Sequence, residues 1–363
     1  MPVDAARRGG GFSHRTFPMT LSLSRASFGA GLFALTLASL ASAGAQAAST
    51  LETVRARGVV NCIVSSGVAG FSLADEQGVQ KGLDSDFCRA VAAATLGDPA
   101  KVNFVKTTAK DRFTVLQSGE GDLMARNSTW SLSRDTTLGL NFTGVNYYDG
   151  QGFMVRKSLN VKSAKELNGA SICAQQGTTT ELNLADYFRT NNMKYEPVAF
   201  ETIDDVTKAY EAGRCDVLTN DQSGLYTNRL KLAKPEDHAI LPEVISKEPL
   251  GPAVRQGDEQ WTDIVKWVHY AMVAAEELGV TQANVAEMTK SANPDVKRLL
   301  GTEGETGKML GLNADWAGKI IQAVGNYGET FERNLGQGSR LKIERGLNKL
   351  WSQGGLQYAP PLR

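Results

Sequence analysis

Histidine is scarce in this chain, three residues in 363, and only His238 and His269 lie beyond residue 47. The four cysteines include no C-x-x-C pair, so the donor spacing of a structural zinc site is missing. No Ser/His/Asp or Cys/His set offers a nucleophile with its base. His238 falls in a charged loop and His269 on a long helical stretch. These gaps leave no catalytic residue, metal or cofactor to expect. Lysine and arginine number 39 against 39 acids and form no cluster, which argues against nucleic acid as a partner. Beyond residue 47 no apolar run approaches the roughly 20 residues of a membrane-spanning helix. What remains is an ordinary globular composition, 42% hydrophobic and 21% charged, in a chain long enough for about two domains.

Residues 1–47 stand apart. Arg7, Arg8, Arg15 and Arg25 precede an apolar run from Phe28 to Ala41, and Ala45-Gln46-Ala47 supplies an A-x-A cleavage site. That order of basic, apolar and small residues predicts a secretory signal peptide over 1–47, with Met19 as an alternative start and a mature, periplasmic chain from near Ala48. An even cysteine count in an exported chain favours disulfides. Cys62, Cys88, Cys173 and Cys215 allow three connectivities. Spacing favours Cys62–Cys88 and Cys173–Cys215, one bridge within each half, ahead of free thiols and far ahead of a metal site.

The pattern along the chain is α/β and runs twice. Strands at Val59–Val64, Val102–Val105 and Asp122–Ala125 alternate with a helix opened by Asp84 or Ser85 as its cap and a short helix at Asp111–Ser118. The order restarts with strands at Ala170–Ala174, Tyr195–Phe200 and Asp216–Thr219 and helices at Thr178–Thr190 and Ile203–Ala212. Such alternation implies parallel sheets with helices on both faces. Two extended connectors, Gly152–Arg156 and Glu248–Arg255, bracket the second half, and a paired crossing of this kind can act as a hinge. A long amphipathic helix with Trp261, Ile264, Val265, Val268, Met272 and Ala275 on one face follows. Residues 290–363 form a tail with its own helical spacing, in which Trp316, Ile320, Ile321, Val324, Tyr327 and Phe331 recur. The expected organisation is two lobes built on two doubly wound sheets joined by a two-strand hinge. Residues 48–151 and 251–363, the latter with a C-terminal helical extension, make one lobe, and 152–250 the other.

Two strand ends carry the chemistry. Gly121-Asp122-Leu123-Met124-Ala125 runs into Asn127, Ser128, Thr129 and Trp130, with Arg134 a turn later; Cys215-Asp216-Val217-Leu218-Thr219-Asn220 runs into Asp221. Ligands of open α/β sheets bind beyond the carboxyl ends of strands. An arginine fork suits a carboxylate and an aspartate suits an ammonium, so the two ends together suit a free amino acid. Thr178 and Thr179, at a strand-to-helix turn after Gly177, can orient the same carboxylate, and Trp130 and Phe71 offer an apolar wall. Each has a plainer alternative: Arg134 paired with Asp135 on the surface, the threonines capping a helix with Glu181 completing the box, Asp221 as a turn former, the aromatics as packing.

Longer runs carry a resemblance. Phe87-Cys88-Arg89-Ala90-Val91-Ala92-Ala93-Ala94, Ser131-Leu132-Ser133-Arg134-Asp135, Asn146-Tyr147-Tyr148-Asp149-Gly150-Gln151-Gly152-Phe153, Gly177-Thr178-Thr179-Thr180-Glu181-Leu182 and Ser246-Lys247-Glu248-Pro249-Leu250-Gly251-Pro252 resemble the general L-amino-acid-binding proteins of bacterial ABC transporters. The tail runs Gly325-Asn326-Tyr327-Gly328 and Tyr358-Ala359-Pro360-Pro361 extend the likeness over essentially the whole mature chain. The resemblance implies a type II periplasmic-binding-protein fold, a monomer that closes over one amino acid and docks on a membrane permease, without turnover. It also implies that Arg134 and Thr129 hold the α-carboxylate, that Thr179 joins them from the second lobe, that Asp221 takes the α-ammonium, and that backbone groups at Asn127 meet the ligand. Ser65, Ser66, Gly67 and Val68 replace the acid and aromatic that related binders carry in the first loop, which fits a tolerant pocket. Gly121 and Ser85 stand where the family commonly has valine. A dehydratase-type enzyme on the same fold and a sensor that presents its ligand to a membrane receptor are the alternatives.

Overall fold

The computed structural model describes residues 48–363, so the predicted signal peptide lies outside the described residues. Two five-stranded sheets form the frame. The first orders its strands Val102–Thr107, Val60–Ser65, Leu123–Met124, Ala253–Arg255 and Leu140–Phe142; the second orders Glu196–Phe200, Ser171–Gln175, Val217–Asp221, Gln151–Arg156 and His238–Ile240. Four strands in each run the same way, and each sheet is mixed by one antiparallel strand, Ala253–Arg255 in the first and Gln151–Arg156 in the second.

Alternation along the strands explains the layers. Successive side chains point to opposite faces, so Val60, Cys62 and Val64 enter one apolar cluster while Ile63 enters another. In the second sheet Met154, Cys173 and Leu218 face one cluster, and Phe153, Val155, Ile172 and Val217 the other. Helices cover both faces, as the alternating pattern implies. One disulfide anchors a strand of each sheet: Cys62 joins Cys88 in the helix Leu83–Leu96, and Cys173 joins Cys215 in the loop that enters Val217–Asp221, with Cα separations of 5.9 and 5.7 Å. The amphipathic helix is found at Glu259–Glu277, and the indole of Trp261 donates to the Asp122 carbonyl at 2.8 Å beneath the first sheet.

Two details differ from the sequence reading. The helix Leu83–Leu96 has Gly82 at its N-cap with no side-chain cap, because Asp84 is buried and its carboxylate accepts the backbone N–H of Asn127 at 2.8 Å instead. Gly152–Arg156 is not a connector but the inner part of a central strand of the second sheet. The crossing is made by an antiparallel ribbon, Tyr147–Asp149 against Glu248–Leu250.

The tail closes on that ribbon. Its helical spacing resolves into Trp316–Val324 and Tyr327–Asn334, parted at Gly325, whose φ of 82° only glycine adopts freely, and restarted by an Asn326–Glu329 capping box. Asn348 is buried and its side-chain amide pairs with both backbone groups of Tyr148, accepting its N–H at 2.7 Å and donating to its carbonyl at 3.0 Å. Gln357 donates to the Val145 carbonyl at 3.2 Å and the Tyr327 hydroxyl to that of Asn146 at 2.9 Å. The extension therefore supplies the hydrogen bonds that the outer edge of the crossing ribbon would otherwise lack.

Candidate functional site

A cleft of about 650 Å³, counted to its open mouth, lies between the carboxyl ends of the two sheets. The lobes touch across it. Thr129 Oγ1 lies 3.4 Å from Thr179 Oγ1, Thr227 donates to the Ala69 carbonyl at 3.0 Å, and Lys231 Nζ to that of Gly67 at 3.0 Å. This is a closed arrangement. Gly177 permits it: its φ is +72°, and a Cβ there would stand 3.1 Å from the Lys110 Cα of the opposite lobe.

Of the sequence-derived candidates, Asn127, Thr129, Thr178, Thr179 and Asp221 line this cleft. Arg134 stands just behind the lining on the helix Leu132–Thr137, 9% exposed. One guanidinium nitrogen donates to the Thr129 carbonyl at 3.0 Å, and its carbon sits 5.1 Å over the ring of Phe113. It is neither on the surface nor paired with Asp135. Burial holds its pKa below the usual arginine value, opposed by the nearby charges of Glu248 and Asp221. Trp130 takes no part in the lining and stacks on Phe142 at 5.8 Å, while Phe71 is buried against Tyr147.

Asp221 ends the strand Val217–Asp221, 8% exposed, and among the described residues its carboxylate finds no hydrogen-bond donor. Burial, then the charges of Asp149 and Glu248, push its pKa well up. A cation in the cleft would relieve that cost. Asp149 behind it is raised to about 6 by burial, partly offset by its bond from Ser223. Thr178 does not cap the helix Thr179–Thr190; its hydroxyl donates to the Gln175 carbonyl at 2.7 Å, and Glu181 accepts from the Gly177 N–H at 2.9 Å. The first-turn N–H groups of that helix are left without a side-chain cap, the arrangement that favours an anion.

Three residues were not reached from the sequence. Arg112 is 3% exposed in the cleft wall, its Nε buried without a partner, and its pKa is lowered by burial and by Arg126 and Arg134. Arg126 is 5% exposed and lowered to about 10 by burial. Neither is ion-paired to a described carboxylate. The adjacency Asp111-Arg112 suggests a local pair, but Asp111 turns to the Thr108 hydroxyl. Glu248 is 1% exposed, and its carboxylate accepts from the Thr129 hydroxyl, from Thr179 at 2.9 Å, from Asn183 at 2.6 Å and from Ser246 at 2.6 Å. The side-chain hydroxyls of Thr129 and Thr179 are thus turned to a protein carboxylate. Among the described residues no group of His, Cys, Asp and Glu could hold a metal ion.

Residues 60–284 match the model of the bacterial extracellular solute-binding proteins, family 3. The chain is 64% identical over 323 residues to the General L-amino acid-binding periplasmic protein AapJ of Rhizobium johnstonii, spanning 88% of this chain and 95% of that protein. It is 56% identical over 322 residues to the Glutamate/glutamine/aspartate/asparagine-binding protein BztA of Rhodobacter capsulatus, again 88% and 95%. A solved periplasmic binding protein of an ABC transporter from Brucella ovis, with glutathione bound, superposes with a TM-score of 0.86 at 59% identity over 87% of this chain and 100% of its own.

Proposed function

Because this chain belongs to the bacterial extracellular solute-binding proteins of family 3, we propose that it captures free L-amino acids in the periplasm and delivers them to an ABC importer by closing its cleft. It binds without turnover, as a monomer that docks on the permease subunits. Residues 1–47 act as the export signal, 48–151 with 251–363 make the first lobe, and 152–250 the second. The observation that carries the reading is the opposition of two charges with no ion-pair partner: Arg134 behind one strand end and Asp221 at another, both nine-tenths buried. A zwitterion satisfies both at once. Arg134 and the free N–H groups opening the helix Thr179–Thr190 take its carboxylate, and Asp221 takes its ammonium. Asn127 meets the ligand at the turn between them, and Thr129, Thr178 and Thr179 shape the wall.

Arg112 and Arg126 extend the reading to the side chain. Burying guanidinium groups without a directly paired carboxylate is costly, and an acidic side chain in the cleft lowers that cost. Glutamate and aspartate are then among the preferred ligands. Calorimetric titration of residues 48–363, freed of co-purified ligand, against the common L-amino acids tests this. Saturable binding of several, with every ligand recovered unchanged, is expected, and Arg112→Met should weaken L-glutamate at least about tenfold while sparing L-alanine. No binding, or conversion of a ligand, refutes the function.

A further inference from the structure

Glu248 belongs to neither half of the amino-acid clamp, yet it receives four side-chain donors. Glu248 falls at the end of the second half but lies on the crossing ribbon, and the chain just after it is tied to the first lobe: Trp130 donates its N–H to the Pro249 carbonyl at 2.8 Å, and Gly251 donates to that of Ser128 at 3.0 Å. Thr129, one of its donors, sits on that same first-lobe loop. Two further donors come from the opposite side of the cleft, Thr179 and Asn183, both in the opening turns of the helix Thr179–Thr190. If the first lobe keeps the ribbon when the cleft opens, Thr129 and Ser246 stay with Glu248 while Thr179 and Asn183 move away. We propose that Glu248 is a latch on the closed state, a positioning residue that grips the entering helix of the second lobe whenever the lobes meet.

The physical case has three parts. Hydrogen bonds to an ionised carboxylate are about twice as strong as neutral ones. Negative charge at a helix N-terminus is favourable, and this end carries no side-chain cap of its own. A fully buried carboxylate stripped of half its donors is expensive, so bonds formed on closing weigh heavily in the open–closed balance. Ligand and latch then act on one equilibrium: the latch lowers the differential affinity the ligand must supply to hold the cleft shut.

This rests on the cleft-closing reading, and its test has one arm that needs no ligand. Asn183 donates to Glu248 and does not line the cleft, so Asn183→Ala weakens the latch without touching the binding surface, and Glu248→Gln keeps the shape while removing the charge. Stopped-flow release of L-glutamate should quicken at least about tenfold in E248Q and severalfold in N183A, with association unchanged. N183A should add nothing once E248Q is present. In the second arm, dipolar spectroscopy between labels at Leu132 and Leu182, exposed on the two rims, should show a smaller closed fraction in E248Q without ligand. Release within twofold of wild type in both variants, or costs that simply add, overturns the latch. A shifted closed fraction in a protein that titrates with none of the L-amino acids would keep the latch and refute the proposed ligand.

Discussion

Replacing Arg134 tests the clamp most directly. In the closed structure its guanidinium has one nitrogen on the Thr129 carbonyl and its carbon over Phe113, which leaves the rest of the fork for a carboxylate. Truncating one partner of a buried, hydrogen-bonded charge pair costs about 2–5 kcal/mol. At about 1.4 kcal/mol per decade, affinity for any α-amino acid should fall roughly 30-fold to several thousandfold. Arg134→Met is the better variant than Arg134→Ala, since its stem still covers Phe113. The Thr129 carbonyl loses its donor in either, a folding cost of about 1–3 kcal/mol that thermal melting will register separately. Arg134→Lys should fall between, keeping charge but not the fork. The assay is calorimetric titration with L-glutamate and L-alanine. Both ligands should suffer alike, because the α-carboxylate is common to them. A loss below about tenfold, or one confined to glutamate, would show that the α-carboxylate is held elsewhere and that Arg134 serves the side chain.

Three further outcomes follow from the scaffold. Removing the Cys62–Cys88 or the Cys173–Cys215 bridge, with sequence separations of 26 and 42, should cost about 3.5 and about 4 kcal/mol by loop entropy, read from denaturant midpoints of the paired Ser variants. His269 is buried beside Gln357, and burial lowers its pKa from the ordinary 6.5 to about 4. The unfolded chain therefore binds the extra proton between those values, so this contribution is full above pH 6.5 and lost as pH falls towards 4. At about 1.4 kcal/mol per pH unit it amounts to about 3 kcal/mol, measurable as the difference in acid sensitivity between wild type and His269→Gln. Asn348→Ala removes both bonds to Tyr148, and hydrogen exchange at the Tyr148 amide should accelerate while amides of the strand Val60–Ser65 stay protected.

Much of the scaffold was legible because its signals are local. Phe87, Ala90, Val91 and Ala94 repeat at helical spacing and are all buried in one helix, and Val60–Ser65 is as apolar as a strand covered on both faces must be. The disulfide pairing followed from each pair's lying within one half. The Gly152–Arg156 connector failed for a physical reason: an extended run with glycine at its start reads the same whether it bridges lobes or threads a sheet, and only pairing with Val217–Asp221 and His238–Ile240 decides. Thr178 failed as a cap because its hydroxyl found the Gln175 carbonyl three residues back, a choice set by loop geometry. Arg112 directly follows Asp111, and nothing in that dipeptide tells that the chain turns one outward and the other into the cleft.

What the sequence determined by itself was the frame: two α/β halves, two bridges, and an arginine and an aspartate near strand ends, because periodicity, strand ends and charge type are properties of short segments. Tertiary structure decided everything that depends on residues far apart in the chain meeting in one low-dielectric cleft. It brought Glu248 to Thr129 and Thr179, 119 and 69 residues away, left the buried Arg112 Nε without a hydrogen-bond partner, and laid the tail along the hinge. Those meetings depend on how two sheets face each other, and no local pattern encodes that angle.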